Sequence, residues 1–445
     1  MFRDISSELH AWKTRNPRKP LILNGIRQVG KTWLLKEFGR TEYRNTAYVN
    51  FEDREEFREF FETTKNPERI IENLSLSLGI PISKEETLII FDEIQDCPKA
   101  LTALKYFCED APGYHVVAAG SLLGITLAQP ESFPVGKVEF LTVYPLTFSE
   151  FLRADGSENL VQYLNSIQNL EPIPEAFFNL LVEKLRIYLL TGGMPEVVNT
   201  WCTTRNLEYV DRDLGNIITA YERDFAKHMK PSDYPKASLI WDSIPSQLAR
   251  DNKRFLYKSV KEGARAREYG NALEWLKSAG LIYKIFRCTR PGLPVAAYDD
   301  LSSFKMYVAD VGLLRRKARL YPQTMIAENS LFSEFKGSLT ENYLLQSLIP
   351  QCESVPRFWA ENNPPYKVDF LIQFENTVVP IEVKSDTNLK SRSLQKYAEK
   401  YQKETPLRVR FSLANLKLDN DLLNIPLFLA DRCIDLIRLA ISARK

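Results

Sequence analysis

Short apolar runs alternate with amphipathic stretches in the first third of the chain. The runs have the length and composition of strands, and the stretches between them have helical spacing. Because strands and helices alternate, we expect an α/β domain with a parallel sheet and flanking helical layers over residues 1–160. The predicted strands are Leu21–Leu23, Thr46–Phe51, Thr87–Asp92, His115–Gly120 and a last one that follows Gly136.

A glycine-rich loop follows the first of these strands and opens a helix-like segment. Residues 25–32 read Gly-Ile-Arg-Gln-Val-Gly-Lys-Thr, the pattern G-x-x-x-x-G-K-T in the strand–loop–helix context that it requires. Gly25 and Gly30 allow the backbone to curl. The N–H groups of the loop, those of Gln28 and Val29 among them, would then cradle phosphate oxygens at the positive end of the helix. The loop predicts binding of a nucleoside triphosphate, ATP.

Polar side chains near this loop complete a predicted Mg²⁺–ATP site. Lys31 should reach the β- and γ-phosphates, and the Thr32 hydroxyl should hold Mg²⁺. Asp92 ends a buried strand at the edge where open α/β sheets bind ligands, and would hold the metal through water. Glu93 is placed to act as general base on the attacking water. Ser121, at the tip of the fourth strand, would touch the γ-phosphate if that strand lies beside the one that carries Asp92.

Composition sets the class of protein. A chain of 445 residues is too long for one core, and its 44% apolar and 26% charged residues are typical of a soluble globular protein. The six cysteines lack C-x-x-C spacing and there are three histidines, so we expect reduced cysteines, no disulfide framework and a cytoplasmic location. No apolar run is long enough for a membrane span, so we expect no membrane association.

The middle of the chain reads as two helical regions. Residues 161–235 predict a helical lid packed on the nucleotide domain, and residues 236–325 have the helix–helix–strand order of a winged helix-turn-helix. A basic surface in the second region would contact DNA phosphates, although these could also be ordinary solvated side chains of a structural domain. The candidates are Lys253, Arg254, Lys258, Lys261, Arg265 and Arg267.

Residues 326–445 contain a second group of charged residues on predicted strands. Asp369 begins one strand of a hairpin, and Glu382 and Lys384 alternate onto one face of the other. Two carboxylates can hold Mg²⁺, and a lysine ammonium can orient water and stabilise a pentavalent phosphorus. Glu341, on the preceding helix, would complete the metal shell. This arrangement resembles the active site of restriction-endonuclease-like nucleases, which implies such an α/β fold here and a Mg²⁺-dependent cleavage activity.

The motifs together resemble prokaryotic AAA-type ATPases fused to a C-terminal domain of unknown function. The resemblance rests on the glycine-rich loop, Phe91–Gln95, Ala119–Ser121 and Tyr144–Phe148, and it extends to Gly192–Pro195 and Leu301–Leu314. Such relatives carry Gly-Arg before the fifth strand, where this chain has Gly136-Lys137. Lysine lacks the bidentate fork of arginine, which puts a trans-acting arginine finger in doubt. An assembly of several copies is compatible with the family, and a monomer stays open.

The leading hypothesis is therefore an ATPase that acts on nucleic acid, most readily DNA. A winged helix would contact the DNA, and a nuclease-like domain with Asp369, Glu382 and Lys384 would cut it. The alternative is a nucleotide-dependent switch whose C-terminal domain is a catalytically silent module that binds DNA or protein.

Overall fold

A computed structural model gives the fold for residues 1–120, 134–326, 333–361, 365–385 and 392–444. The chain divides into two units, which we describe one at a time. The first unit consists of Met1–Tyr144 and the short segment Ser278–Leu281. The second consists of Pro145–Lys277 and Ile282–Lys445.

The first unit is built on a five-stranded sheet whose strands are all parallel. The strands are β1 (Leu21–Asn24), β2 (Asn45–Asn50), β3 (Thr87–Asp92), β4 (His115–Ala119) and β5 (Glu139–Thr142). The helices are α1 (Ser6–Thr14), α2 (Lys31–Glu42), α3 (Glu55–Thr63), α4 (Pro67–Leu78) and α5 (Pro98–Asp110). The predicted parallel α/β sheet is confirmed.

The strand order is β2-β3-β4-β1-β5, which differs from the order along the chain. Strand β4 lies between β1 and β3, with Val117 opposite Leu21 on one side and Ile90 on the other. In a parallel sheet all carboxyl ends meet at one edge. The loop after β1 and the acidic end of β3 therefore flank the end of β4.

The central strands of this sheet are shielded from solvent. Every residue of β3 and of β4 is buried. Phe61 packs edge-on against Phe51 and Phe91, with 5.4 Å between ring centroids in both pairs. Such strands read as continuous apolar runs because helices cover both their faces. The packing provides a rigid base under the glycine-rich loop.

The second unit begins with helices. They are α6 (Phe148–Ala154), α7 (Glu158–Ser166), α8 (Glu175–Thr191), α9 (Pro195–Thr204), α10 (Leu207–His228), α11 (Tyr234–Leu248), α12 (Ala266–Ser278), α13 (Val311–Lys317), α14 (Pro322–Ile326), α15 (Ser333–Leu348), α16 (Arg392–Lys400) and α17 (Cys433–Ser442). Local sequence explains several starts. Thr147 and Glu150 form a capping box on α6, and the Asn206 side chain accepts from the Glu208 N–H at 2.8 Å on α10. None of the described helices is both long and apolar enough to cross a membrane.

The helices accompany an eight-stranded mixed sheet. Its strands are β6 (Ile282–Cys288), β7 (Asp299–Val308), β8 (Arg357–Ala360), β9 (Lys367–Phe374), β10 (Thr377–Val383), β11 (Arg408–Ser412), β12 (Lys417–Asp419) and β13 (Leu422–Pro426). Their order is β12-β13-β11-β10-β9-β8-β6-β7. Strands β8, β9 and β10 are antiparallel neighbours, whereas β10, β11 and β13 are parallel. The predicted hairpin β9–β10 is therefore present, with Phe374 paired to Thr377.

The region expected to be a winged helix contributes two of these strands. Strands β6 and β7 pair antiparallel, as a wing would, but Arg287 of β6 also lies opposite Phe358 of β8. The inner end of β7, Phe304–Val308, is completely buried. A two-stranded hairpin cannot bury such a surface by itself, so it joins a larger sheet. The boundary expected at residue 325 thus falls inside the second unit.

The region predicted to be a helical lid, residues 161–235, belongs to the second unit. One contact shows how they are held there. The Ile173 N–H donates to the Asn415 side chain at 2.8 Å, and the same side chain donates to the Ile173 carbonyl at 2.7 Å.

Asp310 links two of the sequence signatures. Its carboxylate accepts from the Gly193 N–H at 2.6 Å, from the Leu313 N–H at 3.1 Å and from the Gln346 amide at 3.1 Å. Gly192 has φ 69°, and a Cβ there would lie 2.1 Å from Asp310 Oδ1. Burial raises the pKa of Asp310. The Gly-Gly-Met-Pro and Asp-Val-Gly signatures therefore meet in one buried structural contact.

Candidate functional site

The glycine-rich loop has the backbone geometry of a phosphate cradle. Helix α2 begins at Lys31, directly after Gly30, whose φ is 92°. Gly25 has φ 143°, and a Cβ there would lie 2.3 Å from the Val143 carbonyl oxygen. Gln28 also has a positive φ, 63°, which is uncommon for a residue with a side chain. Successive turns of this kind point N–H groups into one concavity at the helix N-terminus.

Lys31 lies within this loop. Its Nζ donates to the Gly25 carbonyl at 2.8 Å and to the Ile26 carbonyl at 3.0 Å. The residue is only 8% exposed, and burial lowers its pKa to about 8, although the charges of Glu93 and Asp92 partly offset this. The two carbonyl groups thus hold the Lys31 ammonium group at the loop. Phosphate groups bound there would give it a negatively charged partner.

Thr32 and Asp92 converge next to the loop. The Thr32 hydroxyl donates to Asp92 Oδ2 at 2.8 Å, and the Tyr48 hydroxyl donates to the same oxygen at 2.8 Å. A hydroxyl and a carboxylate are hard oxygen ligands of the type that Mg²⁺ prefers, so the residues fit this ion. Tyr48 was not predicted. Its only sequence signal is its place near the end of β2, the strand beside β3.

Glu93 follows Asp92 in a left-handed conformation, with φ 49°. The Gln95 amide donates to Glu93 Oε2 at 2.5 Å. Gln95 thereby orients the proposed general base, a role that sequence reasoning missed. Ser121 lies outside the described residues, although β4 does lie beside the strand that carries Asp92.

The second unit brings three of the predicted nuclease residues together. The register of β9 and β10 pairs Phe370 with Ile381, and its continuation places Asp369 opposite Glu382. Asp369 Oδ2 accepts from the Val383 N–H at 2.9 Å, and Lys384 Nζ lies 2.8 Å from Glu382 Oε1. Glu382 Oε2 is buried and has no hydrogen-bond partner within the described part of the chain. A cation would satisfy this oxygen.

Glu341 has positively charged neighbours that the sequence did not predict. Its carboxylate forms an ion pair with Lys253, lies 3.7 Å from Lys305 Nζ, and accepts from the Tyr307 hydroxyl at 2.9 Å. The positive charges outweigh the effect of burial and lower the pKa of Glu341 to about 2. Protein ammonium groups therefore occupy the surroundings where a metal shell was expected. In the part of the chain that the structure describes, no three or more His, Cys, Asp or Glu side chains form a group that could hold a metal ion.

The charged residues around Glu341 also shift the pKa of Asp369. Burial and the negative charge of Glu341 raise the pKa of Asp369 to about 6, against the opposing effect of Lys305. Lys305 is 2% exposed and lies between the apolar residues Phe304 and Met306 of β7. A lysine between apolar residues of a strand is a sequence signal that could have indicated this cluster, because lysine is almost never fully buried without a partner.

A family match now decides what the first unit is. Residues 17–152 match the family model described as an AAA domain. The match includes the glycine-rich loop, Asp92 and Glu93. Residues 17–152 form an AAA-type P-loop ATPase domain.

Two further segments of the chain match families without an assigned activity. Residues 182–324 match a domain of unknown function (DUF8612), and residues 336–428 match another (DUF4143). No protein with a curated description is significantly similar to the chain. The expected fusion of an AAA domain to a C-terminal domain of unknown function is thus confirmed.

Two solved structures show a distant likeness. A Walker-type ATPase of Pyrococcus abyssi is 16% identical, with 71% of this chain and 95% of that chain covered and a TM-score of 0.46. A signal-transduction ATPase with numerous domains and a tetratricopeptide repeat sensor, from Pyrococcus horikoshii, is 14% identical. In that case 79% of this chain and 46% of that chain are covered, with a TM-score of 0.27. Both scores are below 0.5, too low to specify an activity.

Lys137, at the position where the sequence analysis considered an arginine finger, has a partner within its own unit. Its Nζ lies 2.8 Å from Glu109 Oε1, and the side chain is 41% exposed. This bond raises the pKa of Lys137. A finger role in trans would require the lysine to leave this partner.

The six basic residues predicted to contact DNA differ in their exposure. Lys253 is buried against Glu341, and Arg254 is half-buried, with a pKa that burial lowers. The Lys253 ammonium is therefore not available to contact a phosphate, and the Arg254 guanidinium is only partly exposed. The residues that remain exposed are Lys258, Lys261, Arg265 and Arg267.

Proposed function

We propose that the AAA domain hydrolyses ATP with the residues predicted for it, and that this hydrolysis drives an action of the second unit on nucleic acid. The observation that carries the first part is the convergence of Lys31, Thr32 and Asp92 at the loop. Lys31 would bind the β- and γ-phosphates in place of the two loop carbonyls. Mg²⁺, when bound, would offset charge on the phosphates, with Thr32 and Asp92 as its protein partners.

Glu93 would take the proton of the attacking water. Its carboxylate is fixed by Gln95 and by the bend at the end of β3. A positioned general base needs this restraint because the reacting water must stay within hydrogen-bond reach. The buried strands beneath it keep bulk water away from the other side of the site.

Replacing Lys31 with alanine tests the nucleotide site. We expect the affinity for ATP to fall about 100-fold and turnover to be lost, because a charge-assisted contact to the phosphates disappears. Binding of a fluorescent ATP analogue and release of phosphate measure the two effects. Arg40→Ala is the matched control, since Arg40 lies in the same helix and forms an exposed pair with Glu37. Binding and turnover that survive in Lys31→Ala would show that the site is wrongly assigned.

For the second unit we propose a Mg²⁺-dependent nuclease-like function. The support is the order helix α15, strands β8-β9-β10, helix α16, strand β11, with Asp369 and Glu382 on facing strands and Lys384 beside them. Asp369 and the unpartnered oxygen of Glu382 would hold the ion. Lys384, whose side chain is 32% exposed, would reach the attacking water or the scissile phosphate.

Cleavage assays with the full chain test this. With ATP, Mg²⁺ or Mn²⁺ and mixed single- and double-stranded DNA and RNA, we expect cleavage that falls at least about 100-fold in Asp369→Asn and in Glu382→Gln. Glu404→Gln, on the surface of the same unit, should cleave like the wild type. Cleavage that persists in both site variants would point to a contaminating nuclease and remove the assignment.

The burial of the carboxylates and the ion pairs of Glu341 favour the alternative, a catalytically silent module. Asp369 and Glu382 are only 5% and 6% exposed, and Glu341 is neutralised by lysines. Absence of cleavage with every substrate and metal, together with ATP-dependent retention of a nucleic acid in a binding assay, would support this alternative.

A further inference from the structure

The second unit contains a cavity that is separate from the ATP site and from the nuclease-like site. It measures about 430 Å³ and opens between the start of helix α10, residues 207–212, and the segment 316–323. Ligand pockets commonly measure about 300–1,000 Å³, so the cavity can hold a small molecule or one unit of a polymer. Neither the ATP site nor the nuclease-like site uses any of these residues.

The lining carries an excess of positive charge. Arg212, Arg316 and Arg319 line it together with Glu208 and Asp211. The charge of Asp211 is already compensated, because its carboxylate forms an ion pair with the fully buried Arg315. Arg212 also has a partner outside the lining, since its Nε lies 3.4 Å from Asp213 Oδ1, so the excess of positive charge rests on Arg316 and Arg319, against the carboxylate of Glu208.

Arg315 and Arg316 fix the wall of the cavity. Arg315 also donates to the Leu190 carbonyl at 2.9 Å and to the Leu320 carbonyl at 2.7 Å, which fastens residues 315–320 to the neighbouring helices. Arg316 Nε donates to the backbone carbonyl of Asp211 at 3.1 Å. This bond anchors one edge of the Arg316 guanidinium, whose planar fork suits the oxygens of a phosphate.

Arg319 is the group whose role is unexplained by the fold. It is exposed, and its side chain makes no hydrogen bond or ion pair with the part of the chain that the structure describes. Its backbone has φ 54° because it ends helix α13, where the Arg319 N–H donates to the Arg316 carbonyl at 3.0 Å and the Leu320 N–H donates to the Arg315 carbonyl at 3.2 Å. This turn leads directly into residues 320–323, which line the cavity.

The remaining lining residues can stack on an aromatic ring such as a nucleobase. Tyr321 is 68% exposed, and Leu320 and Pro322 flank it. An aromatic face and flat apolar groups stack on nucleobases, and the Gln323 amide and Glu208 carboxylate can form hydrogen bonds with a base edge or a sugar hydroxyl. Inorganic phosphate alone would leave most of about 430 Å³ empty.

We propose that this cavity binds a nucleoside 5′-monophosphate group, either as a free nucleotide or as the 5′-phosphorylated end of a nucleic acid strand. Arg212, Arg316 and Arg319 bind the phosphate, and Tyr321 stacks on the base. The site is independent of the phosphate loop, which takes a triphosphate, and of the cleavage proposed for Asp369 and Glu382.

The test uses the full chain with Lys31→Ala, so that the ATP site contributes nothing, and with EDTA, so that no strand is cut. Fluorescence anisotropy compares two identical single-stranded oligonucleotides, labelled at the 3′ end, one with a 5′-phosphate and one with a 5′-hydroxyl. Unlabelled AMP and inorganic phosphate serve as competitors. We expect the 5′-phosphate to tighten binding about tenfold, or AMP to bind directly, or both.

Variants assign the effect to the cavity. Arg319→Glu should abolish the 5′-phosphate preference and AMP binding, while Arg290→Glu, which changes the net charge equally outside the cavity, should not. Tyr321→Ala should weaken AMP more than inorganic phosphate. Both arginines and Tyr321 are exposed, so melting curves should match the parent protein.

The outcomes separate the two sources of the ligand. AMP binding without a strand preference identifies a free nucleotide, and a strand preference without AMP binding identifies a 5′ end. Equal affinity for both strands with no AMP binding, or a preference that survives Arg319→Glu, overturns the proposal. None of these results depends on whether the chain hydrolyses ATP or cuts a strand.

Discussion

Glu93→Gln is expected to lower ATP turnover by about 10²- to 10⁴-fold, which is the usual contribution of a positioned general base. Affinity for ATP should stay within about threefold of the wild type, because the amide keeps the shape of the side chain and the lysine of the loop is intact. The Gln95 contact at 2.5 Å should hold either side chain in place. Phosphate release measures turnover, and a fluorescent ATP analogue measures binding.

The control for this experiment is Glu86→Gln. Glu86 lies just before β3, and its side chain is 54% exposed opposite Arg44. It should behave as the wild type in both assays. Turnover within tenfold of the wild type in Glu93→Gln would mean that another group activates the water. Loss of binding as well would mean that Glu93 shapes the loop and has no chemical role.

Glu341→Gln is expected to destabilise the second unit by about 3–5 kcal/mol, the cost of leaving buried charges without their partner. Lys253 is 9% exposed and Lys305 is 2% exposed, so water cannot replace the lost carboxylate. The two ammonium groups would then repel each other in a low-dielectric surrounding. Chemical denaturation of the wild type and the variant, each without metal, measures the difference.

Two further variants make this result specific. Glu399→Gln removes one partner of the exposed pair with Lys396 and should cost at most about 1 kcal/mol. Adding Lys305→Met to Glu341→Gln should recover part of the loss, because one of the two uncompensated charges disappears. If Glu341 is a metal ligand instead, Mn²⁺ will stabilise the wild type strongly and Glu341→Gln will abolish that effect while costing little by itself.

The loop of the proposed nucleotide site could be predicted from the sequence because its residues are close together along the chain. Gly25, Gly30, Lys31 and Thr32 lie within one loop, and the loop between a strand and a helix is sufficient to aim N–H groups at a phosphate. Asp92 and Glu93 were found because a buried strand that ends in two acids is rare. Tyr48 and Gln95 were missed, since a tyrosine near a strand end and a glutamine in a short turn have many ordinary explanations.

The second unit was predicted in part. Alternation along a strand was enough to place Glu382 and Lys384 on one face, and they lie 2.8 Å apart. The environment of Glu341 could not be predicted, because Lys253 lies 88 residues away along the chain and Tyr307 lies 34 away. Periodicity along the sequence indicates which face of an element is buried, but it does not identify the elements that cover that face, so the pairing of β6 with β8 could not be predicted.

By itself, then, the sequence determined the parallel α/β sheet, the phosphate loop and the acids at the end of its third strand, since each depends on spacing within a few residues. Tertiary structure alone decided that β4 lies between β1 and β3, that β6 and β7 complete an eight-stranded sheet, and that lysines surround Glu341. The physical reason is the same in each case. Burial of apolar surface and of charge is a property of the neighbours that an element acquires on folding, and those neighbours come from distant parts of the chain.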